Sequence, residues 1–478
     1  MTPAFATALP ATSTLLPPTV GIASSAIPSR TPSADACLPL TPAADRPAYR
    51  FVVTADPVGR RLQVRQRLAL ADPLRLATGD IVFNVPAAHA TGVFTMTRVA
   101  VAGQSAPAQI ELAGTTLRVA LPQAVRRAPA VTVCLDYDLA LPPAGGEGIS
   151  AVHTLGWSEL GMVAGLWYPV LAPYDPGQGW RLIPYHPVGD PIIFEAADYD
   201  VAVSAPAGYT VIAAGPQGVK EAAWQFHLAE ARGFAFVVSN RLQVIRGESA
   251  GIPFQVYHLP EHRPAALDAG RAVHEALALF TAAYGPYPYP ALTIVEAVQF
   301  GGMEYSGLVT FSSQSFDEYQ PPAAGAEFGA DFLIKFVVHE IAHQWWYGAV
   351  GNDQANEPWL DEALARFSER LYYERLHGAN LEWWGSTSVS MATVPINRPI
   401  YDFADTAAYV QAVYVSAARF LLAVRQMLGD QAFFAFLQDY YRQNRRRLVS
   451  QAEFLKVLRA QTGPALDELL PVYFDPVP

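Results

Sequence analysis

The chain has 478 residues, of which 51% are hydrophobic, 12% aromatic and 16% charged. That length supports more than one buried core, and the aromatic content excludes a wholly disordered chain. Thirty-two basic against 43 acidic side chains give a net charge of −11. With no long basic run, nucleic acid is not an expected partner. No stretch reaches the roughly 18 uninterrupted apolar residues of a spanning helix.

Residues 1–46 are rich in Ala, Pro, Ser and Thr and almost uncharged. They lack a helical or strand period and read as a flexible tether. The first basic residue is Arg30 and prolines interrupt the apolar part, so the stretch reads as a truncated or mis-started export signal or as the linker that follows one. Linkers of this composition favour an extracytoplasmic or envelope-tethered location over the cytoplasm. Cys37 and Cys134 are too few for a disulfide framework or a thiolate zinc site, and leave one bridge or none.

Residues 47–248 alternate with a period of two. Leu62 and Val64 are followed by Leu117, Val119 and Leu121, then by Val131 to Leu139, Val201 with Val203, and Phe234 with Phe236. This predicts an all-β domain, a sandwich or a large curved sheet. Residues 249–478 predict a second, α+β and mainly helical, domain. Phe254–Leu259 and Leu292–Val298 read as strands and Pro264–Ala283 as a helix. After Glu327 the period is helical, with Phe332, Phe336, Val337, Ile341 and Trp345, and later Phe420, Leu421, Val424, Met427 and Leu428, on apolar faces.

The chemistry is concentrated in His339-Glu340-Ile341-Ala342-His343, an H-E-x-x-H pattern. Four residues of helix advance about 6 Å and turn about 400°, which stacks His339 above His343. Both imidazoles then reach one ion, and Glu340 stands beside it, where a base for an activated water belongs. A catalytic zinc normally takes a third protein ligand and leaves one position open. Glu362, with eighteen residues between it and His343, suits that place. Gly348 and Gly351 allow the chain to reverse, Asn356 suits a helix cap and Pro358 a first turn. Glu369, two turns along the same face, suits a carboxylate that orients a ligand imidazole. The same spacings also suit structural histidines, an ion pair of Glu362 with Arg366, and a solvated Glu369.

These motifs resemble the gluzincin zinc aminopeptidases, the aminopeptidase N and leukotriene-A hydrolase family. Trp359-Leu-Asp-Glu362-Ala carries the third ligand, and Trp345 and Gly348 echo the residues that follow the second histidine. Gly301-Gly302-Met303-Glu304-Tyr305 stands where the family has Gly-Ala-Met-Glu-Asn. Tyr414 before the apolar helix, Trp167-Tyr-Pro169 and Gly189-Asp190 complete the likeness over about residues 47–478.

The resemblance implies an amino-terminal saddle domain, a thermolysin-like catalytic domain, one zinc ion and peptide substrates. Glu304 would hold the free α-amino group, the backbone of Gly301, Gly302 and Met303 would pair with the substrate, and Tyr414 would stabilise the oxyanion, with Tyr409 as a neighbouring hydroxyl. Tyr305 in place of Asn and Ser416-Ala417 in place of Lys-Gly depart from the family. Only 64 residues follow Tyr414. The large carboxy-terminal helical domain is therefore expected to be missing and the cleft more open. The expected activity is removal of one residue from a free amino end. The alternatives are an endopeptidase on the same zinc site, a non-catalytic peptide-binding scaffold and an epoxide hydrolase.

Overall fold

The computed structural model describes residues 37–476 apart from 44, 105–108, 146–153, 216, 221, 300, 322–330 and 379–393. Most of the expected tether, residues 1–36, lies outside the described residues. Its end is not a tether. Cys37 is disulfide-bonded to Cys134, and Arg46 reaches Asp198 at 2.8 Å, so this stretch is fastened to the β-region.

Among the described residues the β-region contains a seven-stranded sheet in the order Gln217–Lys220, Ala223–Ala231, Ala197–Ser204, Ala48–Asp56, Arg61–Leu70, Val131–Ala140 and Phe94–Val101. Two four-stranded sheets accompany it, one centred on Asp80–Asn84 and the other on Phe236–Ser239. The period of two is the cause of the layering. Along Ala48–Asp56, Phe51, Val53 and Ala55 are buried while Val52 and Thr54 face solvent. Aromatic rings fill the space beneath: Phe51 packs on Trp167 at 4.7 Å, and Tyr49 on Tyr199 at 5.1 Å. The Trp167 indole donates to the carbonyl of Phe234, and Tyr168 donates to Tyr199, so their polar atoms are satisfied inside the core.

The second region is built on a five-stranded sheet in the order Gln243–Ser249, Ile252–His258, Leu292–Ala297, Leu308–Ser312 and Gly302–Met303. The expected division after residue 248 falls inside its first hairpin, because Gln243 to Ser249 pair with Ile252 to His258. This sheet therefore begins at Gln243. The helix Arg263–Tyr284 packs on it with a small-residue face of Ala265, Ala269, Ala272 and Ala276, which lets helix and sheet approach closely.

Helices Phe332–Ala342, Trp359–Tyr372, Ala417–Leu428, Asp430–Asn444, Gln451–Thr462 and Ala465–Tyr473 follow. The helical run Thr406–Leu428 is long and apolar enough to cross a membrane by length and composition. Here it lies in the core, where Phe420, Leu421 and Val424 are fully buried.

Several local expectations change. The helix that carries the H-E-x-x-H pattern ends at Ala342, so Trp345 lies in the turn that follows. Phe332 and Met427 face solvent rather than the core. Asn356 does not cap the next helix. Its amide donates to Asp353, and Pro358 stands at the cap position. The chain reverses through Tyr347, whose φ of +101° is left-handed. Gly348 and Gly351 are needed for space: a Cβ on Gly348 would meet Gln344 O at 2.8 Å, and one on Gly351 would meet the Arg232 guanidinium at 2.4 Å.

That buried Arg232 comes from the β-region and donates to the carbonyls of Phe194 and Arg447, both at 2.6 Å. It ties the two regions together behind the site.

Candidate metal centre

His339 lies in the last turn of its helix and His343 is the C-cap residue, still with right-handed helical backbone. The i, i+4 stacking therefore survives although the helix ends between them. His339 Nε2 is 3.1 Å from His343 Nε2 and 3.1 Å from Glu362 Oε2, and His343 Nε2 is 3.5 Å from Glu362 Oε2. Glu362 reaches them from the first turn of Trp359–Tyr372.

Three donors bound tetrahedrally at about 2.0–2.1 Å to one zinc ion would stand about 3.3 Å apart. The observed triangle fits that ion. The other ring nitrogens fix the tautomers. His339 Nδ1 faces Glu369 Oε1 at 2.8 Å, and His343 Nδ1 donates to the Trp346 carbonyl at 3.0 Å. Both Nε2 atoms are thus turned to the centre. Arg366 pairs with Glu369, which leaves the expected Arg366–Glu362 ion pair unobserved among the described contacts.

Without a cation the charges compete. Between two carboxylates, His339 is pushed up to about 9, although burial works against its charged form. Burial pushes Glu340 up to about 8, with Glu304 adding to the rise and His339 opposing it. Burial and repulsion from Glu362 raise Asp361 to about 7. Glu340 Oε2 is buried and has no hydrogen-bond partner among the described residues. An unpaired acceptor there matches a group waiting for water or substrate.

Gly302 and Met303 form the short edge strand, paired antiparallel to Phe311 and Thr310, and Gly301 takes a φ of +64° just before it. Gly302 passes so close to Glu340 that a Cβ would meet Glu340 Oε1 at 2.4 Å. Gln344, next to His343, fixes the loop that follows: its Oε1 accepts from Gly307 N at 2.8 Å and its Nε2 donates to Tyr305 O at 3.2 Å. Glu304 is buried and accepts from Gln354 Nε2 at 2.9 Å. The Tyr305 ring leaves the site. Its hydroxyl lies 2.5 Å from Thr154 Oγ1, in a space open only because residue 165 is glycine.

Tyr414 lies in a π-helical turn, Val410–Ser416, a distortion that often marks functional sites. Its ring stacks on His339 at 5.8 Å, and burial, with repulsion from Glu362, pushes its hydroxyl well above the ordinary phenol range. Tyr409 is buried against Phe403 and packs edge-on to Tyr414 at 5.8 Å. It covers Gly189, where a Cβ would meet its hydroxyl at 3.1 Å.

All eleven residues expected at the site are therefore gathered here. Three others had no expected role: Gln344, Gln354 and Asp361. Asp361 could have been read from its place beside Glu362.

Residues 270–473 match the peptidase family M1 domain. Over 144 residues the chain is 31% identical to endoplasmic reticulum aminopeptidase 1 of Mus musculus, covering 28% of this chain and 15% of that protein. Over 211 residues it is 28% identical to aminopeptidase N of Lactobacillus helveticus, covering 40% of this chain and 24% of that protein. The matched stretches thus span about a quarter or less of these relatives' own length. The M1 zinc metallopeptidase of Deinococcus radiodurans superposes with a TM-score of 0.63 at 19% identity, over 93% of this chain and 97% of that one. That likeness bears out the expected order of a β-rich domain followed by a mainly helical one. His339, His343 and Glu362 all lie within the stretch that matches the peptidase family M1 domain, in keeping with the expected resemblance to the gluzincin, aminopeptidase N-like group.

Proposed function

We propose that the chain is a zinc-dependent aminopeptidase that hydrolyses the first peptide bond of peptides with a free amino terminus. The observation that carries this reading is the triangle of His339 Nε2, His343 Nε2 and Glu362 Oε2, with separations of 3.1 to 3.5 Å. Zinc held by these three atoms supplies Lewis-acid chemistry, acidifying a water molecule and polarising a carbonyl.

The remaining steps belong to this chain's side chains. Glu340, with its free buried oxygen, takes the proton from the attacking water and later gives it to the leaving amine. Tyr414 donates to the oxyanion that develops on the former carbonyl. Glu304 accepts from the substrate ammonium, and the edge strand Gly302–Met303 aligns the substrate backbone. A buried carboxylate in that position favours an amine-bearing end over the interior of a peptide.

The Cys37–Cys134 disulfide supports an oxidising, extracytoplasmic location. Thiol titration of protein from that compartment and from the cytosol tests this.

A panel of aminoacyl-coumarin substrates, each paired with its amino-acetylated form, tests the main reading. Hydrolysis of the free-amine forms alone, abolished by a chelator and restored by zinc, is the expected result. Equal cleavage of the acetylated forms would point to an endopeptidase. No cleavage by the zinc-loaded protein would point to a binding scaffold.

A further inference from the structure

Glu304 is held through one neighbouring side chain. Gln354 Nε2 donates to Glu304 Oε1 at 2.9 Å, and among the described residues no other hydrogen bond or ion pair reaches that carboxylate. The same nitrogen donates its second N–H to Asp361 Oδ2 at 2.8 Å. Asp361 has a further donor, because Asn352 Nδ2 bonds its Oδ1 at 2.9 Å. Glu304, Gln354 and Asp361 are each at most 4% exposed.

This pair of acids fixes the orientation of the amide. Turning it over would set the Gln354 oxygen against two carboxylate acceptors. The orientation that keeps the nitrogen on both acids leaves Gln354 Oε1 buried with no partner among the described residues. An unsatisfied buried oxygen costs free energy, which a methionine of similar shape would avoid, so filling space does not account for a glutamine here.

The acids need a shared donor. Ligand atoms of Glu304, Asp361 and His343 all fall within 4.8 Å of one another, and like charges at that range repel. Asp361 stands next to Glu362 in the first turn of Trp359–Tyr372. The Gln354 amide therefore ties Glu304 to the helix that carries the third candidate metal ligand. Without it, Asp361 keeps its bond from Asn352, whereas Glu304 keeps none among the described residues.

Resting on the aminopeptidase reading, we propose that Gln354 is a positioning residue for Glu304: it holds Oε1 in register with the metal ligands, so that Oε2 receives the α-ammonium of the substrate. Leucyl-coumarin is compared with its des-amino counterpart, isocaproyl-coumarin, on zinc-loaded protein. The wild type should favour the amine by about 100-fold or more in kcat/KM, and Gln354→Met should cut that ratio by about tenfold or more. Gln354→Glu keeps the shape, removes both donors and should act in the same sense. Incomplete folding of a variant cancels in the ratio, because both substrates meet the same molecules. On a Glu304→Ala background, Gln354→Met should change the ratio by less than about twofold, as an effect exerted through Glu304 requires. Crystals of the wild-type zinc protein soaked with leucinamide test the geometry without a variant. The leucinamide amine should bond Glu304 Oε2 with the Gln354–Glu304 bond intact.

An unchanged ratio in both Gln354 variants, an equal loss on both substrates, or an undiminished effect on the Glu304→Ala background would overturn the proposal while leaving the aminopeptidase reading in place. So would a leucinamide amine bound away from Glu304 Oε2, or not bound at all. Failure of the zinc-loaded wild type to cleave any free-amine substrate would instead overturn that reading, and the leucinamide crystals would still decide on Gln354.

Discussion

Gly302 and Glu340 are packed so closely that the glycine's missing side chain is the space the carboxylate occupies: a Cβ there would stand 2.4 Å from Glu340 Oε1 and 2.6 Å from its carboxyl carbon. Gly302→Ala should therefore displace the base without touching a metal ligand. The expected outcome is a fall in kcat of about 10²-fold or more, since a displacement of about 1 Å has this effect on positioned groups. Zinc content should stay at one per chain. Loss of zinc along with activity would mean that the edge strand supports the metal site itself.

Glu340→Gln preserves shape and removes the base. Turnover should fall by about 10²- to 10⁴-fold, the usual contribution of general acid–base catalysis. Zinc affinity should not fall. Near-normal rates in this variant would refute the assignment of Glu340.

Tyr414→Phe removes a donor but keeps the ring that stacks on His339. The loss should appear in kcat, by about 10²- to 10³-fold, as for other oxyanion donors. Tyr409→Phe should cost far less, because Tyr409 packs against Phe403 and Tyr414 at the edge of the site. An equal loss in both variants would assign the hydrogen bond to the pair rather than to Tyr414.

Glu369 holds His339 Nδ1 at 2.8 Å. Glu369→Ala should weaken zinc binding by about 10- to 100-fold, which is typical of carboxylates that orient a ligand histidine. Competition with a coloured chelator reads this directly. Unchanged affinity would make Glu369 a helix-pairing residue for Arg366 and nothing more.

Metal-free protein should lose stability as pH rises. Raised to about 9 from an ordinary 6.5, His339 contributes fully below about pH 6.5 and loses its contribution as pH climbs through about 9. Glu340, raised to about 8 from 4.5, adds a growing penalty over the interval between those values as its buried carboxyl is forced to ionise. Asp361, at about 7, acts in the same sense. Glu362, pushed far down by the histidines beside it, keeps its contribution throughout this window. The melting temperature of chelated protein should therefore be higher at pH 6 than at pH 9, and zinc should reduce the difference. Zinc binding at pH 7 should also release protons, which calorimetry in buffers of different ionisation enthalpy detects.

Much of this was legible in the chain because it is written locally. Two histidines four apart on a helix must share a face, and an acid a short loop later can return to them, so the ligand set follows from spacing. The alternation along Ala48–Asp56 likewise announces a sheet with one buried side. The rest depends on contacts between distant segments. Arg232, from the β-region, joins Phe194 to Arg447. The hairpin of Gln243–Ser249 with Ile252–His258 crosses the point where composition changes, because hydrogen-bond pairing and composition need not change at the same residue. Tyr347 in a left-handed turn is the reverse of local preference, and glycines stand on either side of the expected reversal where bulk is excluded.

The central claim is that two imidazoles and one carboxylate hold a single zinc ion. Anomalous diffraction from crystals of the purified protein, recorded on both sides of the zinc absorption edge, tests it most directly. One peak at bonding distance from His339 Nε2, His343 Nε2 and Glu362 Oε2, present only above the edge, is the predicted result. A zinc-saturated crystal with no peak at those three atoms would contradict the account.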